Sequence, residues 1–193
     1  MKDGSAYLLI DTNVWLAAYL PNRAGHKAAL QLFSEATKFG VQILYAAATI
    51  RDVFYIAERE LKEEVRQQLG ELSQEDTQAL RALAWGMVDN MREMGTAVGL
   101  DESDLWFASK MRSLHSDLED NIVRAAAKRA KADLLITYDE GLLSKASVPT
   151  MTPEDAILWL QSVFACSYGA TFQERCPTGS FVGNGEDDAV SDA

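Results

Sequence analysis

Short apolar runs alternate with longer amphipathic stretches along this chain. Tyr7-Leu8-Leu9-Ile10, Val41 to Ala46 and Asp133 to Thr137 are compact runs rich in Leu, Ile and Val, and they read as buried strands. Elsewhere apolar residues recur every three or four positions, the period of an α-helix. Val14 to Leu20 predicts a short helix stopped by Pro21 and Asn22. Ala24 to Phe39 predicts a second, with Ala28, Leu32 and Ala36 in line and Gly40 as its stop. A third runs from about Thr49 to Glu64, and a fourth opens at Ser73 with Leu80, Leu83, Ala84, Met87, Val88 and Met91 on its apolar face. Thr96 to Gly99 predicts a short strand, Asp101 to Leu114 and Asp117 to Lys131 two more helices, and Val148 to Met151 a last strand. Thr152 or Pro153 begins a helix reaching about Gln161.

Strands alternating with helices predict the α/β class with a mainly parallel sheet. A length of 193 residues suits one domain with an appendage. The expected division is a domain over residues 1–165 and an acidic C-terminal tail, 166–193, rich in Gly, Ser and Thr and partly disordered. No run approaches the roughly 18 apolar residues of a membrane span. The N-terminal residues lead straight into the first strand without a signal-peptide apolar region, so a cytoplasmic location is expected. The only histidines are His26 and His115, which with Cys166 and Cys176 give no zinc-site spacing.

A net charge of −11 argues against non-specific, charge-driven binding of nucleic acid. It does not exclude a nuclease, whose clustered carboxylates themselves add negative charge. A polyanionic substrate would need metal ions and local basic patches. Arg51, Arg124, Lys128 and Arg129 are candidates for steering it, or serve solubility alone.

In an open parallel sheet, ligands bind beyond the carboxyl ends of the strands. Asp11 ends the first strand, where it either caps the next helix or ligates a metal, with Asn13 placed to orient it. Asp139 follows the strand ending in Ile136-Thr137, as a turn residue or a ligand. Asp117 and Asp120 share a face at a helix start, and Thr49 and Asp52 have capping spacing after the second strand. Asp101 and Asp104 read as capping and solvated charge. Four segments thus bring carboxylates to one sheet edge, where they would repel without cations. Oxygen-only ligation favours Mg²⁺ or Mn²⁺ over zinc. No serine or cysteine nucleophile pattern and no phosphate-binding loop competes.

With those residues in place, the chain resembles the PIN-domain nucleases, and among them the VapC-like ribonuclease toxins of toxin–antitoxin modules. The resemblance runs from about Tyr7 to Gln161 and is carried by Leu8-Leu9-Ile10-Asp11-Thr12-Asn13-Val14-Trp15, by Leu118-Glu119-Asp120-Asn121 continuing through Ala125-Ala126-Ala127, and by Thr137-Tyr138-Asp139. It implies a three-layer α/β/α sandwich around a parallel sheet. It implies that Asp11, Asp120 and Asp139 hold Mg²⁺ or Mn²⁺, that Asp117 assists, and that Asn13 and Thr137 support the site by hydrogen bonds. Asp52 stands where the family usually has a glutamate, one methylene longer.

The expected activity is metal-dependent hydrolysis of RNA phosphodiesters, with Asp52 or Asp117 orienting the attacking water or accepting its proton. A cognate antitoxin protein is the expected partner, and a homodimer is a further expectation, for which Trp15, Leu16 and Tyr19 offer a surface if they are not core. The alternative is a catalytically inactive PIN-like scaffold that binds RNA or a protein. A haloacid-dehalogenase-like phosphatase ranks lower, because its chemistry wants a second Asp where this chain has Asn13.

Overall fold

The computed structural model describes residues 6–113, 115–144 and 148–173. In chain order the elements are β1 (Tyr7–Ile10), α1 (Thr12–Tyr19), α2 (His26–Lys38), β2 (Gln42–Ala46), α3 (Ala47–Leu69), α4 (Gln74–Met94), β3 (Thr96–Val98), α5 (Glu102–Met111), α6 (Leu118–Ala130), β4 (Leu134–Ile136), α7 (Glu140–Ser144), β5 (Thr150–Met151) and α8 (Pro153–Gln173). The five strands form one sheet in the order β3-β2-β1-β4-β5. Every pairing is parallel, with Leu9 opposite both Leu44 and Leu135.

Side chains alternate across a strand, and here that alternation separates two cores. Leu8, Ile10, Ile43, Tyr45, Leu134 and Ile136 face α1, α2, α8 and parts of α3 and α4. Leu9, Leu44, Ala46 and Leu135 face the Ala126–Ala127 side of α6 and Leu142 of α7. The result is a three-layer α/β/α sandwich. Strands buried on both faces explain why their sequences read as continuous apolar runs rather than alternating ones.

The chain winds outward from β1 through β2 to β3, then returns to the other side of β1 for β4 and β5. The order therefore reverses between β1 and β4. A crevice opens at such a reversal, beyond the carboxyl ends of the two strands. Asp11 leaves β1 and Thr137 leaves β4 on its two sides.

The helices depart from the sequence reading in several places. α3 begins directly after β2, so Thr49 is already inside it, and the Thr49–Asp52 spacing is not a cap. It also continues past Glu64 to Leu69, where Gly70 ends it at φ 86°. Residues after Asp139 form α7 rather than a plain turn. α8 runs beyond Gln161 to Gln173, so the residue 165/166 boundary falls inside a helix, and residues 174–193 of the expected tail lie outside the described residues. Among the described residues, no helix is long and apolar enough to cross a membrane.

Trp15 and Leu16 belong to the core and offer no surface for a partner. The Trp15 ring lies 4.6 Å from that of Phe33 and meets Tyr45 edge-on at 6.1 Å. Tyr19, one turn on, is half-buried and donates a hydrogen bond to Asn90 at 2.9 Å. Trp15→Ala leaves a large cavity where three elements meet, and is expected to lower unfolding free energy by about 3–5 kcal/mol. Urea unfolding followed by circular dichroism measures it, and a loss below about 1 kcal/mol would contradict this packing.

Candidate metal centre

The crevice is organised by one hydroxyl. Thr137, fully buried, donates from Oγ1 to Asp11 Oδ2 at 2.7 Å. The same oxygen accepts from Asn13 Nδ2 at 3.0 Å and from the Asp139 N–H at 2.9 Å. A hydroxyl has one donor and two acceptor positions, and all three are used. Asn13 completes the network by accepting the Tyr138 N–H at 3.1 Å. The first strand, the first helix and the turn after β4 are thereby locked together.

Asp11 is both helix cap and crevice wall: it sits at the N-cap of α1, and its Oδ1 accepts the Thr12 N–H at 2.7 Å. Burial raises its carboxyl from 3.8 to about 6. The bonds from Thr137 and Thr12 oppose that rise, and the negative charges of Asp120 and Glu119 add to it.

α6 points its first turn at the same crevice. Asp117 is its N-cap, accepting from the Glu119 N–H at 2.8 Å and the Asp120 N–H at 3.4 Å. Asp120 does not return to the cap amide. Its Oδ2 instead lies 3.2 Å from Nδ1 of His115. Burial raises the Asp120 carboxyl, with Asp139 and Asp117 adding repulsion and His115 and Arg124 opposing it. Donor atoms of His115, Asp120 and Asp139 all lie within 4.8 Å of one another. Asp11 stands outside that closest set, on the Thr137 side of the crevice.

Asp139 is held at both ends, since its Oδ1 also accepts the Leu142 N–H at 2.8 Å. Gly141 allows this turn to approach the site. A Cβ there would lie 2.6 Å from His115 Nε2 and 2.9 Å from Asp139 Oδ1, closer than atoms pack. Behind the turn, the buried Arg124 donates to the Gly141 carbonyl at 2.9 Å.

Asp52 approaches from α3. Its Oδ1 accepts two bonds from Arg51, at 3.0 and 2.9 Å, while Oδ2 is buried with no partner. It faces Glu119, whose carboxyl is raised first by burial and then by Asp52, Asp117 and Asp120.

Two residues that the fold brings to the crevice, Glu119 and His115, were not among the candidates read from the sequence. Glu119 lies within the Asp117–Asp120 run, off the three-residue spacing that puts Asp117 and Asp120 on one face. His115 lies just before that run. Its closeness to Asp139 depends on the fold, but its place beside a double-acid helix start was the available signal. The proposed steering cations are largely engaged elsewhere. Arg124 is buried, Arg129 pairs with Asp101 and Asp104 at 3.3 and 3.0 Å, and Lys128 sits 4.2 Å over the Phe107 ring. Arg51 remains exposed beside Asp52.

These residues fit a divalent cation. Carboxylates from β1, α3, α6 and the β4 turn face one crevice, and repulsion contributes to the upward shift of three carboxyls there. Two buried donor atoms, Asp52 Oδ2 and His115 Nδ1, have no hydrogen-bond partner. A cation would neutralise the first feature and could satisfy the second.

A family profile described as "PIN domain" matches residues 7–141. No curated protein matches the chain by sequence. Among solved structures, VapC20 of Mycobacterium tuberculosis, titled a sarcin–ricin loop cleaving toxin, aligns with a TM-score of 0.51 and 11% identity over 74% of this chain and 98% of its own. PAE2754 from Pyrobaculum aerophilum aligns with a TM-score of 0.52 and 17% identity over 83% of this chain and 94% of its own. Both likenesses are of fold.

The raised Asp11 carboxyl has a consequence for stability. A folded-state value of about 6 against 3.8 unfolded means that the stability from protonating Asp11 is full below pH 3.8 and lost as pH rises through about 6. At about 1.4 kcal/mol per unit, the loss amounts to roughly 3 kcal/mol in metal-free protein. Asp11→Asn cannot titrate. In chelator-treated samples, the unfolding free energy of wild type minus that of the variant should therefore fall between pH 4 and pH 7. A difference independent of pH would show that Asp11 is not held in this way.

Proposed function

The chain belongs to the PIN domain family, and from that premise we propose that it is a divalent-metal-dependent endoribonuclease acting as the toxin of a toxin–antitoxin pair. The observation that carries the reading is the meeting of carboxylates from four chain segments at the β1/β4 crevice, where repulsion adds to the upward shift of the Asp11, Asp120 and Glu119 carboxyls. The likeness to VapC20, a toxin that cleaves the sarcin–ricin loop, supports RNA as the substrate class.

In this reading Asp11, Asp120 and Asp139 hold Mg²⁺ or Mn²⁺, with Asp117 assisting from the helix cap. The ion supplies positive charge to the phosphodiester and makes water a stronger nucleophile. The remaining work belongs to the chain. Thr137 fixes the Asp11 carboxylate and, with Asn13, the backbone of the turn that bears Asp139, whose carboxylate is held by the Leu142 N–H; this removes reorganisation from the reaction. The unpartnered Oδ2 of Asp52 orients water or takes its proton. Arg51, exposed at the crevice edge, neutralises an approaching phosphate. Catalysis lies within residues 1–165. An antitoxin protein restrains the toxin, and a homodimer is the proposed assembly.

A second reading, an inactive scaffold that binds RNA or a protein, draws on one observation: Oδ1 of Asp52 is committed to Arg51 rather than free. Calorimetric titration separates the two, because a scaffold binds neither Mg²⁺ nor Mn²⁺ at millimolar concentration.

The direct test is cleavage of a labelled RNA with Mg²⁺ or Mn²⁺ present. Asp11→Asn and Asp120→Asn should each lower the rate about 100-fold or more with the fold intact; robust cleavage by Asp11→Asn would falsify the assignment. Gly141→Ala pushes His115 and Asp139 apart and should cost about 100-fold, the penalty of roughly 1 Å misplacement. Gly99→Ala, which meets nothing within 4 Å, is the matched control and should retain wild-type activity.

A further inference from the structure

His115 makes the crevice more than a set of carboxylates. Its backbone is fixed on both sides: the N–H donates to the Met111 carbonyl at 3.0 Å, and the carbonyl accepts from Asn121 Nδ2 at 2.9 Å. The ring is wedged between Asp120 and the Gly141 turn, where a Cβ would come within 2.6 Å of Nε2. Nδ1 is buried and lies 3.2 Å from Asp120 Oδ2, yet makes no hydrogen bond. An imidazole placed only to pair with a carboxylate would aim its N–H along the oxygen lone pair, and this one does not. Adjacent ligands of an octahedral ion, each at about 2.1–2.2 Å from it, stand roughly 3 Å apart. The two atoms keep that spacing, and Asp139 offers a carboxylate oxygen within 4.8 Å of a ring nitrogen of His115 and of a carboxylate oxygen of Asp120.

Resting on the metal-centre reading above, we propose that His115 is a nitrogen ligand of the centre through Nδ1 and that it biases the site toward Mn²⁺ over Mg²⁺. Mg²⁺ is a hard ion that keeps oxygen ligands and water, whereas first-row transition ions accept imidazole readily. The oxygen-only set expected from the sequence becomes a mixed one, with two carboxylates and an imidazole closest together and Asp11 on the far wall.

The test uses the full chain, its His115→Ala and His115→Gln variants, and Mn²⁺ and Mg²⁺ titrated separately by calorimetry. Pulsed electron paramagnetic resonance of the Mn²⁺-loaded proteins reports directly on coordinated ¹⁴N. Wild type should show that nitrogen coupling and bind Mn²⁺ about 10-fold or more tighter than Mg²⁺. Both variants should lose the coupling and bring the two affinities to within about 3-fold, with Mg²⁺ binding changed by less than about 3-fold. Thermal melting checks that the variants fold; if they do not, the wild-type spectrum alone decides. Mn²⁺ bound by wild type without nitrogen coupling overturns the role of His115 and leaves the metal centre standing. Coupling that persists in folded variants overturns the assignment to this residue. Failure of wild type to bind either ion overturns both the inference and the reading beneath it.

Discussion

The Thr137 hydroxyl is the constraint on which the crevice depends. It is fully buried and has no spare hydrogen-bonding capacity, so it cannot turn toward a new partner without abandoning an old one. Its three partners come from β1's end, from α1 and from the turn after β4. The parallel pairing of β1 with β4 brings those segments within reach, with Ile10 opposite Ile136. Backbone topology sets the distance, and a single oxygen then sets the orientation. Neither would suffice alone, because parallel strands fix where Asp11 and the Asp139 turn begin but not where the Asp11 carboxylate points or how that turn leaves β4.

Against this precise placement stands the electrostatic cost of the same groups. Asp11, Asp117, Glu119, Asp120 and Asp139 are gathered with little protein charge to balance them. The positive end of α6 offsets part of the cost, since Asp117, Glu119 and Asp120 all occupy its cap or first turn. Repulsion and burial that stability would select against are retained where a ligand can relieve them. The contrast with Asp101 and Asp104 is instructive. That pair forms a complete capping box and shares the single positive charge of Arg129, so an acidic doublet of the same spacing finds its partners within the protein.

Legibility in the sequence followed the range of the interactions involved. The strand runs and the helix periods were readable because burial on two faces or one stripe imposes a local pattern, and the sandwich follows from their alternation. The end of α3 was not readable, because its last turn, with Leu69 exposed, carries no apolar stripe to mark it. Asp11, Asp120 and Asp139 could be singled out because each lies at an element boundary that the pattern itself marks. Whether Asp52 caps a helix could not be read, since α3 starts with no capping side chain and gives no local start signal. His115 was hidden for a different reason. Its partners are an acid five residues on and a turn more than twenty residues away, and only the fold joins them. Arg124 was misjudged because its helical period did not reveal that its face turns inward.

That buried arginine also bears on what keeps the turn after β4 in place. Its guanidinium holds the Gly141 carbonyl from behind and offsets part of the rise in the Asp120 carboxyl from one turn away. Arginine keeps its proton at any physiological pH. A chelator can strip a divalent ion from a centre, but it cannot strip this charge. The turn bearing Asp139 is therefore braced by a charge that the chain itself carries, one that does not depend on any bound ion.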